Sequence, residues 1–162
     1  MLPTERSCSA NGKSRMIVRI TKIHPDAIVP HYAHPGDSGM DIYSVDDLTI
    51  ASGETALVHT GLKIAVPGGY EAQVRPKSGL ALQYGLTVPN TPGTIDSGYR
   101  GEVCVILINH GRNAFHVKKR SKIAQLVICP VIQASMTEVD DLEETSRGEG
   151  GFGSTGLQWI DG

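Results

Sequence analysis

The chain of 162 residues lacks long hydrophobic runs and any large excess of charge. No apolar stretch approaches the roughly 20 residues that a membrane-spanning helix needs. Residues 1–15 are polar and irregular, without the apolar segment of a secretory signal, although their low acidity leaves organelle targeting open. The net charge of −2 excludes a general attraction to nucleic acid or membranes but allows a local cationic pocket. We therefore expect a cytoplasmic protein that binds neither nucleic acid nor membrane.

Cysteine is also scarce. The three cysteines, Cys8, Cys104 and Cys129, are odd in number, far apart and without C-x-x-C spacing. This pattern favours reduced thiols over a disulfide framework or a zinc site. Because Cys104 and Cys129 lie in apolar runs, we expect both to be small core residues. His31 and His34 have no evident further zinc ligands and are expected to be surface histidines.

Glycine and proline, in contrast, are plentiful, with 19 and 9 residues. They separate short β-branched segments, which is typical of an all-β sandwich, jelly roll or barrel. Strands are predicted at residues 16–23, 62–66, 70–74, 102–108, 113–117 and 123–132. The segment 102–108 has apolar residues on both faces, so we expect it to be fully buried, in the core or between subunits. Only residues 78–83 and 136–144 have helical potential.

The length fits one domain. We expect a flexible extension at residues 1–15, a β core at residues 16–135 and a C-terminal arm at residues 136–162. The arm begins acidic and then becomes rich in glycine.

Five separated segments are polar or rich in glycine and carry the candidate chemistry, at residues 35–44, 75–81, 90–103, 122–126 and 147–156. The last contains Gly148-x-Gly150-x-x-Gly153, the literal dinucleotide-binding pattern. That fingerprint needs a following helix within a βαβ unit, and only nine residues follow Gly153. We therefore reject it.

In their order and spacing, the five segments resemble the motifs of the trimeric dUTPase family across residues 16–156. The resemblance implies a jelly-roll-like, distorted β-barrel subunit with one short helix and a flexible arm, assembled as a homotrimer. It also implies magnesium-assisted hydrolysis of dUTP to dUMP and pyrophosphate, which limits uracil incorporation into DNA and supplies dUMP for dTMP synthesis. In the family, each site combines segments of two subunits, and the tail of the third closes it.

The resemblance assigns site roles by position. Asp96 is the expected catalytic base, which activates a water for attack on the α-phosphorus, and Asp41 supports catalysis by orienting a phosphate-binding cation or metal-bound waters. Magnesium is expected to be held by substrate phosphates and waters, without a direct protein ligand. The expected substrate-binding residues are Lys77, Ser78, Gly79, Asn90, Gly93, Thr94, Ile95, Tyr99, Gln125, Arg147, Phe152, Gly153, Ser154 and Thr155.

Several of these roles fit elementary chemistry. A triphosphate needs cations, which Lys77 and Arg147 supply, and glycine-rich backbone can wrap an anion closely. By resemblance, Asn90 reads the uracil edge, Tyr99 excludes a 2′-hydroxyl, and Phe152 stacks on the base. Lys77 stands where the family usually has Arg, so the bidentate fork is lost and activity could be reduced.

Two alternatives remain at this stage. dCTP deaminase shares the architecture but needs an Arg-Ser-Ser-like second motif, where this chain has Lys77-Ser78-Gly79. A nucleotide-dependent interaction protein with residual catalysis is the other alternative, and Asp96 and Phe152 argue against it.

Overall fold

The structure, a computed structural model, describes residues 16–154. The chain divides into two units, residues 1–132 and 133–162. Within the described residues, all eleven strands and the one helix lie in the first unit. The predicted all-β class with one short helix is therefore confirmed.

The first half of this unit contains six strands. They are β1 (Arg19–Lys22), β2 (Met40–Tyr43), β3 (Leu48–Ile50), β4 (Thr55–His59), β5 (Leu62–Ala65) and β6 (Tyr70–Arg75). The second half begins with the helix. Its elements are α1 (Ser78–Tyr84), β7 (Leu86–Thr87), β8 (Gly93–Ile95), β9 (Cys104–Asn109), β10 (Phe115–Val117) and β11 (Lys122–Pro130).

The strands form four small antiparallel sheets around one core. The largest has the order β2-β11-β6-β8, and the others are β4-β9-β7, β10-β3 and β1-β5. Five core residues have no exposed surface, and they come from strands of three different sheets: Val58, Ala72, Val105, Val117 and Ala124. The sheets therefore enclose a common interior, as in a distorted barrel.

Helix α1 matches the helical potential predicted at residues 78–83. It ends at Gly85, which has a left-handed φ of 69° and donates its N–H to the carbonyls of Ala81 and Leu80. Glycine adopts this conformation without a Cβ penalty, so it stops the helix cleanly.

Strand β11 contains an irregularity beside β2. Lys122 pairs with Tyr43, whereas Ala124 pairs with Ile42, so one residue is inserted between two consecutive partners. That residue is Ile123, and it is buried together with Ala124. A bulge of this kind accounts for two successive side chains facing the core.

Other segments singled out in the sequence differ from the structure in their extent or regularity. Residues 136–144 form no helix; the structure describes residues 133–154 without a regular element. The acidic residues of this stretch are exposed, and like charges four apart disfavour a helix. The predicted strand at residues 16–23 is ordered as β1 only from Arg19 to Lys22.

The strand predicted at residues 102–108 is not fully buried in the single chain. In β9, Val105, Leu107 and Asn109 are buried, whereas Cys104, Ile106 and Ile108 are only half-buried. Cys104, like Cys129 on β11, is thus at the edge of the core rather than inside it. The outward face of β9 remains apolar and partly open.

No helix among the described residues is both long enough and apolar enough to cross a membrane. His31 and His34 are exposed, as predicted, and the His31 ring stacks on Tyr43 with centroids 5.8 Å apart.

Candidate active site

Strand register brings three of the sequence segments together. On β11, Gln125 lies opposite Asp41 of β2 on one side and opposite Arg75 of β6 on the other. Lys77 follows β6 by two residues. The pairing of β11 with both neighbours therefore gathers the segments at residues 35–44, 75–81 and 122–126 at one edge of the largest sheet.

Asp41 is a buried carboxylate held between two lysines. Lys77 donates a hydrogen bond to its Oδ1, and the Nζ of Lys122 lies 2.6 Å from its Oδ2. Burial alone would raise the pKa of Asp41, but the hydrogen bonds from Lys122 and Lys77 outweigh it and hold the pKa below its ordinary value. The same contact raises the pKa of Lys122. Two ammonium groups on one carboxylate leave a net positive charge.

This charge lines a polar cleft of about 370 Å³. Its walls are Ala33, Asp37, Ser38, Gly39, Asp41, Lys77, Lys122 and Gln125. We call it the cationic cleft. Its second carboxylate, Asp37, balances the charge of the lining and is turned to His34, whose backbone N–H donates to Asp37 Oδ2 over 2.8 Å. The two lysines and the Gln125 amide are the donors with which the cleft can bind an anion with several oxygens.

Gln125 is fixed in this cleft from two sides. Its Nε2 donates to the Pro76 carbonyl over 2.9 Å. A Cβ at Gly39 would lie 2.5 Å from Gln125 Oε1 and 3.2 Å from its Cβ. Gly39 therefore lacks a side chain where the glutamine amide lies.

A second cleft, of about 340 Å³, is built around β8, which pairs with β6. Six predicted site residues line it: Asn90, Gly93, Thr94, Ile95, Asp96 and Tyr99. The opposite wall is apolar and includes Leu57 of β4 and Ile106 of β9. We call it the hairpin cleft. Its mixture of backbone, amide and apolar surface suits a planar heterocycle.

The residues of the hairpin cleft are positioned locally. A Cβ at Gly93 would lie 3.1 Å from Asn90 Nδ2, so this glycine lets the amide approach the strand. Asp96 directly follows β8 and begins a turn, in which the Tyr99 N–H donates to the Asp96 carbonyl over 3.1 Å. Tyr99 Oη donates to the Glu102 carbonyl over 3.0 Å.

Asp96 itself is exposed, and no described residue donates a hydrogen bond to its carboxylate. Its oxygens are therefore available to a bound water or ligand. No lysine or arginine among residues 16–154 lines the hairpin cleft.

The remaining predicted residues fall elsewhere. The two clefts share no lining residue, and Ser78 and Gly79, exposed at the start of α1, line neither. Within one chain, Asp96 therefore lines the hairpin cleft, whereas Lys77 and Lys122 line the cationic cleft.

The second unit, described by itself, contains the glycine-rich segment. Arg147 Nε donates to the Gly150 carbonyl over 2.9 Å, and the Ser154 N–H donates to the Gly151 carbonyl over 2.9 Å. Phe152 is fully exposed and, like Gly153, has a positive φ. Thr155 lies outside the described residues.

Reasoning from the sequence missed two groupings. Lys122 was not predicted as a partner of Asp41, which only the register of β11 reveals. His59, Glu102 and Cys104 place their ligand atoms within 4.8 Å of one another. A possible signal for this cluster was the pairing of two apolar strands, but His59 and Cys104 are 45 residues apart.

Comparisons with known proteins agree with this geometry. Residues 25–156 match the dUTPase family. The chain is 56% identical over 142 residues to the deoxyuridine 5'-triphosphate nucleotidohydrolase of Gloeothece citriformis, covering 88% of this chain and 98% of that protein. It is 54% identical over 140 residues to the protein of the same name from Clostridioides difficile, covering 86% and 98%.

Solved structures share the fold. The Staphylococcus bacteriophage 80alpha dUTPase with dUpNHpp superposes with a TM-score of 0.80 at 24% identity, covering 87% of this chain and 99% of that one. A mutant dUTPase from phage phi11 of S. aureus, with a coordinated structural Mg(II) ion, gives a TM-score of 0.74 at 21% identity, covering 80% and 100%.

Proposed function

The chain belongs to the dUTPase family and hydrolyses dUTP to dUMP and pyrophosphate, and we propose that Asp96 is the general base of this reaction. The observation that carries the proposal is the exposed, unpartnered carboxylate of Asp96 at the rim of the hairpin cleft. Asp96 takes a proton from a water whose oxygen bonds to the α-phosphorus. The bond from that phosphorus to the bridging oxygen breaks, and pyrophosphate leaves.

The base strength of an ordinary aspartate is low at neutral pH, because its reference pKa is about 3.9. Positioning of the water and stabilisation of the phosphate charge must therefore supply most of the acceleration. This requires that the triphosphate be held firmly on both sides of the α-phosphorus.

The hairpin cleft is proposed to hold the deoxyuridine. Asn90 and the backbone of Gly93, Thr94 and Ile95 offer donors and acceptors to the uracil edge. Tyr99 packs under the sugar and leaves no room for a 2′-hydroxyl. Steric rejection of an added group is strong when the wall cannot relax, and the hydrogen bond from Tyr99 Oη limits its movement.

The cationic cleft is proposed to hold the phosphates. Lys77 supplies charge, Gln125 and the start of α1 at Ser78 and Gly79 supply donors, and Asp41 orients Lys77. The two clefts share no lining residue within one chain. A complete site is then formed when the cationic cleft of one subunit meets the hairpin cleft of the next.

We infer a homotrimer for this reason. The half-buried apolar face of β9 and the exposed Leu57 of β4 offer a surface for a neighbouring subunit. The arm closes the site in this assembly, with Arg147, Ser154 and Thr155 on the phosphates, Gly153 in the turn and Phe152 on the uracil. The free thiols of Cys104 and Cys129 fit a reducing, cytoplasmic location.

Magnesium fits this donor set as a substrate-bound ion. Both oxygens of Asp41 are engaged by lysines, whereas Asp96 and Gln125 offer hard oxygens to metal-bound waters. When bound with substrate, magnesium neutralises charge on the triphosphate oxygens. The chain's own residues orient the ligand and accept the proton.

The test is Asp96→Asn, which keeps the shape and removes the base. The turnover number for pyrophosphate release is expected to fall by about 10²–10⁴-fold, while a non-hydrolysable dUTP analogue still binds. Asp47→Asn is the matched control, because Asp47 is an exposed carboxylate paired with His116 and lines neither cleft. Full pyrophosphate release by Asp96→Asn would refute the assignment.

A further inference from the structure

We propose that His59, Glu102 and Cys104 form a zinc-binding site where β4 meets β9. Their ligand atoms all lie within 4.8 Å of one another. Glu102 and Cys104 also line the hairpin cleft, but the proposed hydrolysis assigns no step to any of the three side chains.

Strand geometry places the three side chains together. His59 is the last residue of β4 and pairs directly with Cys104, the first residue of β9. Side chains of directly opposed residues lie on the same face of a sheet, about 4.5–5.5 Å apart at Cβ. Glu102 precedes Cys104 by two residues, the spacing that returns a side chain to the same face of an extended chain. The backbone pairing of β4 with β9 therefore keeps these side chains next to one another.

The distances approach those of a tetrahedral site. His59 Nδ1 lies 3.0 Å from Glu102 Oε2 and 3.6 Å from Cys104 Sγ. Zinc bonds of about 2.0 Å to nitrogen and oxygen and about 2.3 Å to sulfur give ligand separations of about 3.3–3.5 Å at tetrahedral angles. The third separation, between the ligand atoms of Glu102 and Cys104, is within 4.8 Å, so these two side chains have to move closer to admit the ion, with water in the fourth position.

Neighbouring groups orient two of the ligands. The Gly61 N–H donates to Glu102 Oε1 over 2.7 Å, which leaves Oε2 directed at His59. The backbone N–H of His59 donates to Asp46 Oδ2 over 2.7 Å. Hydrogen bonds that fix ligands before the metal arrives are a regular feature of protein metal sites.

The donor set selects the metal. One imidazole nitrogen, one sulfur and one carboxylate oxygen suit zinc, whereas magnesium prefers six oxygens. The carboxylates of Glu102 and Asp46 both lie beside His59, one on its ring nitrogen and one on its backbone N–H. Those same carboxylates attract a cation, which then replaces the thiol proton.

Cys129 provides a matched comparison. It is also a half-buried free cysteine on a core strand, but its Sγ lies 3.7 Å from the guanidinium of Arg75. A cation beside the sulfur disfavours a metal ion. Of the two cysteines among residues 16–154, Cys104 thus has surroundings that suit zinc and Cys129 does not.

The experiment titrates the full-length protein with Zn²⁺ by calorimetry and with Co²⁺ by absorbance. We expect one ion per chain, a thiolate-to-cobalt charge-transfer band, and no displacement by excess Mg²⁺. Cys104→Ser is expected to abolish the band and weaken zinc binding by at least about tenfold, and Glu102→Gln to weaken it comparably. Cys129→Ser is expected to bind as the unmodified protein does.

Zinc should also raise the thermal unfolding midpoint of the unmodified protein and of Cys129→Ser, because only the folded chain brings the ligands together. If Cys104→Ser misfolds, His59→Gln provides the same test with the thiol retained. Equal zinc affinity in Cys104→Ser or His59→Gln, or a band lost in Cys129→Ser, would overturn the proposal. Neither result affects the assignment of dUTP hydrolysis.

Discussion

Replacing Gly39 by alanine tests how closely the cationic cleft is fitted around Gln125. The new Cβ would lie 2.5 Å from Gln125 Oε1 and 3.2 Å from both Cβ and Cδ of that residue. The amide oxygen can rotate away because it is the far end of a flexible side chain. The Cβ contact is harder to relieve, because Cβ is fixed to the β11 backbone.

The magnitude follows from these contacts. Rotation of the amide breaks the hydrogen bond from Gln125 Nε2 to the Pro76 carbonyl, which costs about 1 kcal/mol. Crowding at Cβ and Cδ adds about 1 kcal/mol. The unfolded chain has less conformational entropy to lose on folding when residue 39 is alanine instead of glycine, which offsets about 0.5 kcal/mol of this cost. The free energy of unfolding is therefore expected to fall by roughly 1–2 kcal/mol.

Urea unfolding at fixed protein concentration measures this loss, and pyrophosphate release measures its effect on the site. Since Gln125 is proposed to contact the phosphates, kcat/KM for dUTP is expected to fall by about tenfold, equivalent to about 1.4 kcal/mol. Gly68→Ala is the control, because no atom lies within 4 Å of its added Cβ.

A double-mutant cycle with Gln125→Ala isolates the contact. In the Gln125→Ala background, Gly39→Ala should cost less, because the contacts with Oε1 and Cδ and the hydrogen bond to Pro76 are absent and only the 3.2 Å contact with Cβ remains. If Gly39→Ala destabilises equally in both backgrounds, the steric explanation is wrong.

Two further predictions follow from the ion pair and the arm. Asp41→Asn should lower the free energy of unfolding at pH 7 by about 2 kcal/mol, counting only the hydrogen bond from the partly buried Lys77. Because the folded-state pKa of Asp41 is lowered, this difference should be complete above the usual value of 3.8 and shrink as the pH falls through the folded-state pKa; a difference independent of pH would contradict the pairing. Deleting residues 147–162 should reduce dUTP turnover at least about tenfold while the mass in solution remains that of a trimer, since all described strands lie in the first unit. An unchanged rate would remove the arm from the mechanism.

Local patterns predicted most of the fold. Short β-branched segments between glycine and proline predicted β1, β5, β6, β9, β10 and β11, and helical potential was recognised at residues 78–83, whereas β2, β3, β4, β7 and β8 were not predicted. The helical potential noted at residues 136–144 does not lead to a helix, because helical potential does not account for repulsion in an acidic run. For residues 102–108 the sequence predicted burial in the core or between subunits; one face of β9 is buried in the single chain, and burial of the other face between subunits stays a prediction.

The sequence predicted which residues belong to the candidate site but not how they are arranged. Resemblance of motifs named Asp41, Lys77 and Gln125, but no property of the sequence gives the register that sets Gln125 opposite Asp41. The pairing of His59 with Cys104 was invisible for the same reason, since cross-strand neighbours are fixed by long-range packing.

The residue inserted in β11 changes which face of the sheet the side chains after it point to, relative to those before it. Lys122 and Gln125 are three residues apart, an odd interval that in a regular strand would direct them to opposite faces. With Ile123 inserted, both line the same cleft. Deletion of Ile123 is therefore expected to leave β11 paired with β2 but to direct the Lys122 ammonium group away from Asp41.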